Sequence, residues 1–112
     1  MPIFLIERDI PAASSLTPEE LAGITAKSNE VVASLGVPYR WITSYVAGDK
    51  FYCVHEADHI DTVLAHAKAG GFPANLVTEV VAQIDPDFVA RRATAAPVAG
   101  EDLAPSPPGS QP

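Results

Sequence analysis

Three histidines, one cysteine and a set of carboxylates are the side chains able to do chemistry in this sequence. His59 and His66 stand seven residues apart on an expected helix, a separation of two turns or roughly 10 Å of rise. That is too far for both to hold one ion easily; each could instead join carboxylates of a neighbouring chain. His55 ends an expected strand on the side that helices would cover, as a partly buried, hydrogen-bonded residue. Cys53 alternates onto that same side and reads as a buried structural thiol; a reactive thiolate needs exposure and positive surroundings. Strand parity sends Glu7, Glu56 and Glu79 to the opposite side, with Trp41, Tyr45 and Tyr52. There they form an acidic, aromatic surface suited to a cation or a polar small molecule. Arg8 and Arg40 fall on the helix side by the same count. No nucleophile–base pair and no dinucleotide fingerprint is present, so no catalytic residue is assigned.

The elements that must position these groups are well marked. Arg40 to Glu56 reads as a hairpin: two aromatic, β-branched runs flank Gly48-Asp49, a pair that supplies the positive φ of a two-residue turn. Pairing Ala47 with Lys50 sets Trp41 opposite Glu56, Thr43 opposite Val54 and Tyr45 opposite Tyr52 on one side. Ile42–His55, Ser44–Cys53 and Val46–Phe51 then lie on the other. Ile3 to Arg8 is the first strand. Thr17, Pro18 and Glu20 open a helix with a capping box, its stripe is Leu21, Ile24, Val31, Val32 and Leu35, and Gly36 and Pro38 close it. Asp58 is the expected cap of a second helix with the stripe Ile60, Val63, Leu64 and Ala67. Gly70-Gly71-Phe72-Pro73 ends it, with Phe72 as a plug. A last strand runs from Leu76 to Ile84, with Val80, Ala82 and Ile84 on the helix side and Val77, Glu79 and Val81 on the open one. The order β-α-β-β-α-β specifies an α+β, ferredoxin-like fold: a four-stranded antiparallel sheet with two helices on one side. The uncovered side calls for a homodimer of the dimeric α/β-barrel type. The expected domain is 1–86. Residues 87–112 form a Pro/Ala-rich tail, expected to be disordered beyond a short helical turn at 87–93.

Bulk properties narrow the function. A chain of 112 residues with 47% hydrophobic content fits one small domain. A net charge of −7 disfavours nucleic acid and anionic membranes. A lone cysteine rules out an internal disulfide and a cysteine-based zinc motif. The start lacks a basic region and a long apolar run, so the expectation is a cytoplasmic protein.

Three blocks in order, IFLIERDIP, WITSYVAGDKFYCVHEA and HAKAGGFPANLVTEV ending in Ile84-Asp85-Pro86, resemble a small bacterial nickel-binding protein family with actinobacterial relatives, long catalogued as a domain of unknown function. The resemblance implies a ferredoxin-like homodimer that binds nickel or another divalent ion, with metal sequestration as its role. It implies His66, Glu7 and Glu79 as ligands, with His59 as a further candidate. Thr43 stands where relatives carry a stronger ligand. Trp41, Tyr45 and Tyr52 would wall a site on the open side. Two alternatives remain. One is a small-molecule-binding or cofactor-free monooxygenase-like protein with a cleft between helices and sheet, using His55, Tyr45 and Trp41; a deep, dry pocket at His55 would favour it. The other is a sensing module that recruits a partner.

Overall fold

The computed structural model describes residues 1–94. Its elements are β1 (Ile3–Asp9), α1 (Pro18–Ser34), β2 (Tyr39–Ala47), β3 (Lys50–Ala57), α2 (Ile60–Gly70), β4 (Leu76–Val80) and α3 (Phe88–Thr94). The strands pair antiparallel in the order β2-β3-β1-β4. This is the ferredoxin-like arrangement, because the two βαβ crossovers place β1 and β3 at the centre. The chain divides after Val81, and α3 belongs to the second unit. The tail expected from 87 onward lies outside the described residues beyond Thr94.

The local signals act as their chemistry dictates. Thr17 Oγ1 accepts from the Glu20 amide at 3.1 Å, and Glu20 Oε1 accepts from the Thr17 amide at 3.0 Å, so two orphan donors of α1 are satisfied reciprocally. Gly36, at φ 71°, follows the helix end. The hairpin turns at Gly48 (φ 60°) and Asp49 with Ala47 opposite Lys50. The turn also fastens the loop after β1, where Ile10 N–H donates to the Asp49 carbonyl and Ala12 N–H to Asp49 Oδ1.

The core lies between helices and sheet. Phe4, Ile6, Phe51, Cys53, Ala57 and Val63 are buried there. Leu21 and Ile24 of α1 are only half-buried, and Val31 is the one buried apolar residue on that helix. The expected stripe of α1 therefore faces the sheet without filling the space beneath it.

Four expectations are corrected. First, Ile42 is an extra residue in β2. The register shifts between Trp41 and Thr43, so Trp41 opposes His55 rather than Glu56. Trp41 thus joins the helix side, while Arg40 moves to the open side and bonds Glu56 at 3.1 Å. Second, β4 ends at Val80, which opposes Ile3, the first residue of β1; among the described residues no strand pairs with the chain beyond it, and Val81 is 92% exposed. Third, the faces of β4 are reversed: Val77 opposes Ile6 and Glu79 opposes Phe4, both helix-side residues. Both faces of that run are apolar enough that alternation could not choose, and the register with β1 decides. Fourth, α2 is rotated from its expected stripe. Leu64 is 43% exposed and His66 only 1%, and His59, not Asp58, caps the helix by accepting the Asp61 amide on Nδ1.

Candidate functional site

A cavity of about 260 Å³ opens between α1 and the β2–β3 hairpin. Buried Arg8, Phe51, Cys53, His55 and His66 make its floor, and exposed Thr25 and Val46 mark its mouth. Ile10, Leu21, Ile24 and Phe72 supply apolar wall. Each polar group at the floor arrives by an identifiable route. Arg8 and Cys53 follow from the pleat of the central strands. Trp41 is turned inward by the bulge, and its indole N–H donates to Ser44 Oγ at 2.9 Å. His66 arrives by the rotation of α2, where it meets Ser28 of α1 at 3.0 Å through Nε2.

The aromatic groups form a continuous stack. Tyr39 lies parallel to His66 with centroids 5.3 Å apart, and Phe72 packs on the other side at 5.5 Å. His55 meets His66 edge-on at 5.0 Å and the Trp41 ring at 6.4 Å. Tyr39 Oη and His55 Nδ1 are 2.5 Å apart. Burial raises the Tyr39 phenol well above its usual pKa, so the phenol stays neutral and is able to donate this hydrogen bond to Nδ1. With the phenol as donor, His55 is the tautomer with its proton on Nε2. Burial, then the charges of His66 and Arg8, push His55 down to about 3. Burial and the Arg8 charge push His66 down to about 4. Both imidazoles are neutral at ordinary pH.

Two groups at the floor are incompletely satisfied. His66 Nδ1 is buried without a hydrogen-bond partner among the described residues. Arg8, only 3% exposed, bonds Cys53 Sγ through Nε at 3.4 Å and the Pro73 carbonyl through Nη1 at 2.6 Å, and lies over the Phe72 ring. Among the described residues no carboxylate pairs with it. A buried guanidinium without an anion is a costly feature for a small protein.

The residues expected from the sequence to hold a metal are dispersed. His66 lies at the cavity floor. Glu7 is on the open side, 3.2 Å from Lys50 Nζ. Glu79 is exposed on the helix side of β4. His59 spends Nδ1 on the helix cap. Among the described residues no three His, Cys, Asp or Glu side chains converge as a metal group. The cavity itself presents two imidazoles beside an uncompensated guanidinium, which repels a cation. A resident divalent ion does not fit the donors that the described residues of one chain bring together. On the open side, the half-buried carboxylates of Glu7 and Glu56 find partners in Lys50 and in Arg40, which the bulge brings across from the helix side. Tyr45, 63% exposed, and half-buried Tyr52 remain on that side as expected; Trp41 does not. Tyr39, Ser28 and Arg8 are the site residues that sequence reasoning missed. The polar positions inside an apolar stripe, Ser28 above all, were the available signal.

Residues 4–80 match the family described as nickel responsive protein SCO4226-like. Among solved structures, the crystal structure of SCO4226 from Streptomyces coelicolor A3(2) is similar in fold, with a TM-score of 0.61 and 15% identity, covering 73% of this chain and 99% of that one. No curated protein matches.

Proposed function

We propose that this chain, which belongs to the SCO4226-like family of nickel-responsive proteins, works as a non-catalytic binding protein whose ligand is a small molecule held in the cavity between helices and sheet. The observation that carries this reading is the floor of that cavity: a buried charge and a buried ring nitrogen, both short of partners, at the end of an apolar opening. Such convergence of few polar groups in an apolar pocket is the usual form of a ligand site. The pocket at His55 is also the feature that separates small-molecule binding from a filled core. Cys53 is buried and lacks the exposure a reactive thiol needs, and the reading assigns no reaction. Trp41 is the single tryptophan and lines the pocket. Its emission is therefore the test: a screen of small organic acids, alcohols and amines should yield compounds that shift it saturably. A chain whose Trp41 responds to none of them lacks the function proposed.

The protein is further proposed to act as a homodimer through the uncovered sheet side. Ile3, Leu5, Tyr52, Val54 and Val80 are half-buried there, and Tyr45 and Leu76 are exposed; a second copy would cover this apolar area. Light scattering of the intact chain should give twice the monomer mass, and Val54→Asp should return it to one.

The family description favours a second reading, direct binding of nickel or another divalent ion. Since one chain does not gather the donors, that reading needs Glu7, Glu79, His59 or His66 from two copies. Calorimetric titration of Ni²⁺ into the intact chain and into His59→Ala, His66→Ala and Glu7→Gln decides it. Identical heats in all four would remove these residues as ligands.

A further inference from the structure

The floor of the cavity specifies more than an apolar guest, and we infer that its ligand is an amphiphilic monoanion, a carboxylate with an apolar body, whose charged end sits against Arg8 while the body lies between α1 and β2. This deepens the binding role proposed above and rests on it.

Charge comes first. Arg8 is the only ionised group at the floor, and its Nη2 makes no hydrogen bond among the described residues. The other two nitrogens of the fork are already spent on Cys53 and Pro73, which fixes the orientation of the guanidinium. An acceptor with negative charge would pair with a cation that the fold leaves uncompensated. Hydrogen-bond donors come second. With Tyr39 donating to Nδ1, His55 carries its proton on Nε2, which also lacks a protein partner among the described residues, and His55 lines the same cavity. One carboxylate has two oxygens, enough for Arg8 and His55. A dianion such as phosphate would need a second cation, and among the described residues no other cationic side chain lines the cavity. Shape comes third. About 260 Å³ with apolar walls and ring faces from Trp41 and Phe72 suits a medium-chain or single-ring acid.

The same features turn away the other classes. An amine would meet Arg8. A bare cation would meet it too. A neutral alcohol would gain the apolar contact but leave the guanidinium unpaired.

The test is a comparison of three probes of equal length, octanoate, octanol and octylamine, titrated into the full chain and followed by Trp41 emission and by the thermal midpoint. Octanoate is expected to bind about tenfold more tightly than octanol, the scale of one charge-assisted hydrogen bond, and octylamine least. Arg8→Met should erase the preference for the acid, and Arg8→Lys should retain part of it. Equal binding of acid and alcohol overturns the assignment of charge but leaves the pocket as a binding site. Tighter binding of the amine overturns it outright. Failure of all three to bind removes both this assignment and the pocket reading. Should Arg8→Met not fold, the ranking of the three probes on the wild-type chain still decides.

Discussion

Acidification should unfold this protein ahead of its carboxylates, and the size of the effect follows from two buried rings. In the unfolded chain both His55 and His66 take up a proton near pH 6.5. In the folded chain they stay neutral until about 3 and about 4 respectively. Between these limits the unfolded state binds up to two more protons than the native state, so stability rises with pH across the window. The contribution is fully present above pH 6.5 and is lost as pH falls towards the folded values. Each proton is worth about 1.4 kcal/mol per pH unit. Going from about pH 7.5 to about pH 5 therefore costs about 2 kcal/mol per histidine, or about 4 kcal/mol together. That is a large part of the about 5–15 kcal/mol typical of a domain. The assay is urea unfolding at a series of pH values, followed by Trp41 emission with the slope against urea held constant. His55→Gln and His66→Gln, which cannot titrate, should each remove about half of the pH dependence. An unfolding free energy that is flat over this range, or full pH dependence in both variants, would show that the two rings are not held neutral by the fold. The imidazole C–H resonances of His55 and His66 give a check that needs no variant: neither should titrate above about pH 5.

Other perturbations probe the geometry directly. A methyl group at Gly70 would lie 2.3 Å from Phe72 Cε2, so Gly70→Ala should lower stability by about 1–3 kcal/mol despite its better helix propensity, and should change the Trp41 response to pocket probes. Deleting Ile42 removes the extra residue of β2 and leaves Trp41 opposite His55 in a regular ladder; its emission should stay as in the wild type, and a shift to the red would mean that Trp41 does not keep that pairing. Ser28→Ala takes the partner from His66 Nε2 and leaves both ring nitrogens buried without bonds, at a cost of about 1–3 kcal/mol by chemical denaturation. Thr17→Ala breaks the capping box and should cost about 1 kcal/mol in the same assay, with no effect on probe binding.

The architecture could be read from the chain because its signals are local. Thr17, Pro18 and Glu20 open α1, Gly48-Asp49 fixes the hairpin register nearest the turn, and Gly71 at φ 70° closes α2. These depend on a few adjacent residues, and the order of elements then leaves one sheet topology. From Thr43 to Phe51 and on to His55, the sides of the hairpin follow from pleat alone, so His55 and Cys53 fall where alternation puts them. Family membership was likewise legible in the three blocks of sequence.

The site was decided elsewhere. A bulge at Ile42 carries no local signature in a run of β-branched and aromatic residues, yet it inverts the sides of Tyr39, Arg40 and Trp41 at once. That single extra residue turns Trp41 towards His55 and Arg40 towards Glu56. The rotation of α2 by less than one turn exchanges Leu64 for His66 at the core, because the stripe meets Ser28 of α1 and the ring of Tyr39 rather than a purely apolar layer. The length and sides of β4 were set by its register with β1, whose last pair is Ile3 with Val80; Pro2, next in the chain, has no N–H to extend the ladder. Helices, turns and strand order were thus fixed by the chain's own short-range chemistry. That His66 joins His55 inside, and that Arg8 stands beside them without Arg40, depends on register and rotation between elements distant in sequence, and only their mutual packing could choose.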